Sequence, residues 1–155
     1  MNARWFLCAL CLIFAITSVV SANPYFQYGY QGHIYATYVT FSQNDVITYY
    51  LDSPSSADFD LLVYDSYDGK AYNSQKDGNA QESVRVPASA GYDHVVFIDG
   101  VKGEGAFTIF TANESVSWPN DSFVDLGQHQ SNTEFNDMVS GYYQKVLNLS
   151  VVNQS

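Results

Sequence analysis

From Gly32 to Ala112 apolar and polar residues alternate in short runs, each closed by Gly, Pro, Asp, Asn or Ser. Apolar side chains at every second residue share one face of an extended chain, so the pattern predicts strands with one face in a core. Seven are predicted: Gly32 to Phe41, Val46 to Asp52, Asp58 to Asp65, a short one near Lys70 to Gln75, Glu82 to Pro87, His94 to Asp99, and Ala106 to Ala112. The clearest is the third, where Phe59, Leu61 and Val63 alternate with Asp58, Asp60, Leu62 and Tyr64 before the chain turns at Asp65-Ser-Tyr-Asp-Gly69. Short strands at intervals of about ten residues, separated by turn residues, predict an all-β fold, an antiparallel β-sandwich or jelly roll forming one domain.

The flanks read differently. Residues 1–22 carry Arg4, an apolar run from Trp5 to Ile16, and small residues at Val20-Ser-Ala22, the pattern of a secretory signal peptide cleaved after Ala22. Asn23 to Gln31, NPYFQYGYQ, is an aromatic lead-in expected to be exposed and ordered only where its rings dock. Residues 113–155 form an extension holding four glycosylation sequons, at Asn113, Asn120, Asn148 and Asn153, which points to a glycoprotein of the secretory pathway. Within it Leu147, Leu149 and Val151 alternate with Asn148 and Ser150, so Tyr143 to Val152 is expected to be an eighth strand with Asn148 in solvent. Its apolar side is expected to cover the sheet face where Leu62, Tyr64, Val96, Ile98 and Phe110 point away from the core.

A secretory leader changes the cysteine reading, because both cysteines, Cys8 and Cys11, lie inside it. The mature chain is then expected to hold itself together without disulfides, thiolate metal sites or a cysteine nucleophile. Charge narrows the partners. Six basic residues against sixteen acidic ones give a formal charge of −10, a surface that repels phosphate backbones and argues against nucleic acid. Neutral glycans, cations, basic proteins or further copies of the chain suit it better.

Three kinds of chemistry are open to these residues. His33, His94 and His129 stand beside no nucleophile motif, and there is no Gly-x-Ser-x-Gly, His-Glu-x-x-His or phosphate loop, so no catalytic residue is assigned and the chain is not expected to be an enzyme. Asp58, Asp60, Asp65 and Asp68 crowd one strand and its turn; they would be the ligands if calcium binds, although they serve equally well as solvating and turn-capping groups. Aromatic side chains form the third candidate, since Tyr and Phe left on a sheet surface can stack on sugar rings or dock on protein. Tyr50, Tyr64, Tyr67 and Phe110 are the expected binding residues.

The strand Asp58-Phe-Asp-Leu-Leu-Val-Tyr-Asp65, then Gly69, Gly78-Asn79, Val84-Arg-Val86, Ala90-Gly91 with Val95-Val-Phe97, and Gly103-Glu-Gly-Ala-Phe-Thr-Ile109 follow one another as in a known family. In order and spacing this resembles the bacterial pre-peptidase C-terminal domain, and it is similar to the collagen-binding domains of clostridial collagenases. The resemblance covers about residues 32–112. It implies a small β-sandwich of the kind found beside secreted peptidases and other exported enzymes. Two departures limit what carries over: no catalytic domain accompanies the module, and Asn23 to Gln31 contains no acidic residue, so the calcium site at that edge of the collagenase relatives does not transfer.

Together these readings lead to a secreted, extracellular, non-catalytic binding module for a glycan or a matrix protein. A structural subunit of an extracellular polymer, self-associating through sheet edges, is the first alternative. An accessory protein or inhibitor of a secreted peptidase is the second.

Overall fold

A computed structural model describes residues 22–112, 116–118 and 123–152. The predicted leader therefore falls almost wholly outside the described residues, as do the sequon asparagines Asn113, Asn120 and Asn153. The described chain forms strands β1 (Ala22–Gly29), β2 (His33–Thr40), β3 (Asp45–Asp52), β4 (Ala57–Asp65), β5 (Ala71–Ser74), β6 (Glu82–Ala88), β7 (Asp93–Gly103), β8 (Gly105–Thr111) and β9 (Val124–Gln128), followed by helix α1 (Asn132–Val152). They build two antiparallel sheets, one in the order β1-β8-β3-β6 and one in the order β5-β4-β7-β2-β9. The all-β sandwich expected from the alternation is what the chain adopts, and all seven predicted strands are among its nine.

Strand β4 shows how the pattern becomes packing. Its odd residues Phe59, Leu61 and Val63 are fully buried while Asp58, Asp60, Leu62 and Tyr64 on the other face are partly exposed. Opposite them stand Ile47, Tyr49 and Leu51 of β3, Val86 of β6, and Phe107 and Ile109 of β8, all at 0% exposure. Phe59 meets Phe107 edge to face at 5.3 Å, and Tyr35 of β2 packs on Phe107 at 5.4 Å. Trp118 and Phe123 close one side of this core.

Two glycines are there because the backbone passes too close for a side chain. A Cβ on Gly100 would sit 2.2 Å from the Tyr30 carbonyl oxygen. One on Gly103, whose φ is +68°, would sit 2.1 Å from that of Ser56.

The tail is not a strand. Tyr143 to Val152, expected to be extended, is the second half of α1. Phe135, Met138, Val139, Tyr142, Tyr143 and Val146 recur at three- and four-residue spacing and form the apolar stripe of a helix. The helix also starts on an N-cap related to the capping box: Ser131 Oγ accepts the Glu134 N–H at 3.2 Å, and the Glu134 carboxylate reaches back one residue beyond the cap to accept the Gln130 N–H at 2.6 Å. Alternation over the last ten residues was a short-range feature that this longer period overrides.

What the tail covers was anticipated, but its contacts differ in parity. The stripe packs on the outer face of the five-stranded sheet, against Ile34, Ala36, Leu62, Tyr64, Val95 and Phe97. Val96 and Ile98 belong instead to the inner core, because Leu62 pairs with Phe97 and Tyr64 with Val95 across the β4–β7 ladder. Phe110 lies on the other sheet altogether, opposite Tyr50. Ser150 Oγ donates to the buried carboxylate of Asp93 and ties the end of α1 to the start of β7.

The lead-in is likewise more regular than expected, since Asn23 to Gly29 falls within β1 and pairs with β8 from Tyr25 opposite Ile109 to Gly29 opposite Gly105. Tyr25 turns inward and packs on Phe123 at 5.0 Å.

Candidate functional site

Because α1 covers the five-stranded sheet, the two outer faces of the sandwich differ. On the four-stranded sheet the outward positions include Phe26 and Tyr28 of β1, Thr108 and Phe110 of β8, Thr48, Tyr50 and the exposed Asp52 of β3, and Arg85 of β6. No element covers them among the described residues. Phe26 is 66% exposed, the most open large apolar side chain described. Tyr50 and Phe110 are direct cross-strand partners whose rings lie nearly parallel, 18° apart with centroids at 5.2 Å. In register Phe26 faces Thr108, two residues along β8 from Phe110 and opposite Asp52 on its other side, so aromatic groups run over three strands with Thr108 and Asp52 beside them.

The four aromatic residues expected to bind do not all converge here. Tyr50 and Phe110 form the pair just described. Tyr64 is covered by α1, its ring 5.2 Å from Tyr143. Tyr67 lies in the turn after β4, exposed and edge-on to Tyr92 at 4.9 Å. The sequence reading missed Phe26 and Tyr28, whose outward alternation against Tyr25 and Gln27 was the available signal.

The acidic residues separate as well. Asp58 and Asp60 lie toward one end of β4, Asp65 and Asp68 at or beyond the other. Asp65 is buried and its Oδ1 accepts the Tyr67 N–H at 2.9 Å. Asp68 accepts the Lys70 N–H and pairs with Lys70 Nζ at 2.7 Å, which holds its carboxyl below the usual value and the ammonium above. Among the described residues no group of three or more His, Cys, Asp or Glu is arranged to hold a metal ion. The calcium expectation thus finds its carboxylates in two unconnected places, with the second pair committed to the turn.

At the Asp58 end a different acidic constellation appears. Asp60 is directly opposite Asp99 of β7. Burial first, then the like charges of Asp58, Glu82, Asp99 and Asp77, push the Asp60 carboxyl up to about 7. Burial also raises Asp99, against the opposing effect of His129, whose Nε2 is hydrogen-bonded to Asp99 Oδ1 at 2.8 Å. Beside the pair a cavity of about 150 Å³ is lined by Asp60, Leu62, Asn73, Gln75, Phe97, Asp99 and Phe135. An open groove past His129 and Ser131 adjoins it. Chemically, a carboxyl poised near neutrality can exchange a proton or neutralise a cation at ordinary pH.

The other histidines are structural. His94 is buried and bonded through Nε2 to the Pro87 carbonyl and through Nδ1 to the Tyr49 hydroxyl, each at 2.8 Å. A carbonyl only accepts, so Nε2 carries the hydrogen and Nδ1 accepts from tyrosine; burial lowers the pKa of this neutral ring. His33 pairs with Asp125 at 2.9 Å and joins β2 to β9. No protein-family model matches the chain, and no curated protein matches it.

Proposed function

We propose that the protein is a secreted, extracellular β-sandwich that binds a neutral glycan, without catalysing a reaction, through the outer face of its four-stranded sheet. The observation that carries this reading is the uncovered run of Phe26, Phe110 and Tyr50 with Thr108 and Asp52 beside them. Aromatic rings supply apolar area to sugar C–H faces, and hydroxyls supply the hydrogen bonds that orient a carbohydrate. The face carries Asp52 and Arg85 as charges of opposite sign, and Glu104 lies beside Tyr28, so it offers acceptors and a donor around the rings and suits a neutral polymer better than an acidic one. The leader-like residues 1–22, the sequons and the resemblance to modules of exported enzymes support an extracellular setting.

A glycan array followed by polysaccharide pull-down tests it. Phe26→Ala, Tyr50→Ala and Phe110→Ala are each expected to reduce retention about tenfold or more. Retention of no glycan, or retention indifferent to all three changes, would overturn the reading.

A second reading, assembly into an extracellular polymer, is favoured by one observation. β1 is an edge strand and Ala22–Gly29 contains no charged residue; Pro24 and the irregularity between Ala22 and Tyr25 protect its beginning, and Tyr25 to Gly29 is the part open to strand addition. Light scattering on concentrated protein separates the two readings, because a strict monomer eliminates assembly.

A further inference from the structure

The acidic corner on the opposite sheet carries a separate inference. We propose that the cavity between β4, β5, β7 and the first turn of α1 is a binding site for a primary ammonium group on a short alkyl chain. Its walls are divided in the way such a ligand needs. Leu62, Phe97 and Phe135 form an apolar part that accommodates methylenes, Asp60 and Asp99 face each other across the next row of the sheet, and Asn73, opposite Leu62, and Gln75 add amide oxygens to the lining. A volume of about 150 Å³ admits a chain of a few carbons. The charged head is a compact donor of three hydrogen bonds, which two carboxylates and the side-chain amides can accept.

Asp99 has His129 as its partner, but two other carboxylate oxygens of this corner have none among the described residues. Glu82 is fully buried, and although its Oε1 accepts the Lys76 N–H at 2.8 Å, its Oε2 has no partner among the described residues. Asp58 Oδ1 is buried and unpartnered in the same way. Glu82 does not line the cavity, but its charge is among those that raise the Asp60 carboxyl, which does.

The groups that face Asp60 are Asp58 on its own strand, Asp99 on β7, Glu82 on β6 and Asp77 in the loop between β5 and β6. His129 is engaged by Asp99. Lys76 Nζ is spent on the Gln81 carbonyl at 2.6 Å, and Lys102, opposite Asp58 in register, makes no ion pair among the described residues. The start of α1 is capped by Ser131 and Glu134 rather than left open for an anion. The cavity lining brings two carboxylates beside apolar side chains and, among the described residues, no Lys or Arg, which suits an ammonium carried on an alkyl chain.

The test is an NMR titration of the full chain at pH 8 with n-butylammonium chloride, with n-butanol as the uncharged analogue and sodium chloride to match ionic strength. Saturable shifts at Leu62, Asn73, Gln75 and Phe135 are expected with the amine and not with the alcohol. Linkage adds a second readout in the unmodified protein: bound ammonium favours the ionised carboxylate, so the Asp60 carboxyl midpoint is expected to fall by about half a pH unit or more. Asp60→Asn is expected to weaken binding about tenfold or more. An acetylated and amidated Gly-Gly-Lys-Gly-Gly peptide distinguishes the source of the ammonium. Tighter binding than n-butylammonium identifies a protein lysine, weaker binding a small free amine, and both support the site. Failure to saturate, an equal response to n-butanol, or an Asp60 midpoint unmoved by the amine overturns it, whether or not the variant folds. Retention of a glycan on the other sheet is indifferent to each of these outcomes.

Discussion

Asp60→Asn should make the protein more stable at neutral and alkaline pH, because the native carboxylate is held against its electrostatic surroundings. Its ordinary value is 3.8, and in the fold it is pushed up to about 7. Between those values the folded chain keeps a proton that the unfolded chain releases, so stability falls as pH rises from about 3.8 to about 7 and then levels off. A displacement of about three pH units at about 1.36 kcal/mol each is about 4 kcal/mol for a wholly buried group. Asp60 is only half-buried, and solvent screening reduces this to about 2 kcal/mol. Asparagine keeps the shape and removes the charge. Urea denaturation of both proteins from pH 4 to pH 8 should give nearly equal stabilities at the acid end and a gap opening to about 2 kcal/mol at pH 8, or a melting temperature higher by about 5 °C. Parallel pH curves, or a variant less stable than the parent at pH 8, would refute the account of the acidic corner.

Other changes test other parts of the fold. Tyr49→Phe removes the hydroxyl that donates to His94 Nδ1 and should cost about 1–3 kcal/mol by urea denaturation at pH 7. Because burial lowers the His94 pKa below its usual 6.5, His94 makes a contribution of the opposite sign to that of Asp60, one lost as pH falls below about 6.5, and His94→Gln should remove it and steepen the gain in stability toward acid pH. Gly100→Ala places a Cβ against the Tyr30 carbonyl and should destabilise the protein by about 3 kcal/mol in thermal melts, whereas Gly141→Ala, with open space around it, should not. Val146→Asp puts a charge under α1 and should cost about 3 kcal/mol, with hydrogen exchange accelerating first in α1 and the outer face of β2.

Most of the sandwich was legible because its strands are buried on one face. β4 alternates cleanly, and so do β6 and β8, in which a buried residue follows a more exposed one at every step. β7 was harder for a physical reason. His94 to Ile98 is buried on both faces, by the core and by α1, so no polar position marks which side is which, and the parity of Val95 to Ile98 could be fixed only by pairing with β4. Helix α1 carries two sequence signals, Ser131-Asn-Thr-Glu134 and the stripe from Phe135 to Val146, and the local alternation of Leu147, Leu149 and Val151 masked both. At the candidate sites the legible fact was residue type, not company. Tyr50 and Phe110 become neighbours only through the β3–β8 register, and Asp60 meets Asp99 only through that of β4 and β7. Neither pairing is encoded in any local run of residues.

The position of α1 gives the molecule a front and a back. Asn148 points into solvent from the helix, with two sheet layers between it and the Tyr50–Phe110 pair. A sugar chain attached at that asparagine would therefore project to the rear and leave the aromatic side free to lie against a surface. Decoration at Asn148 and adhesion through the front can coexist without competing for room.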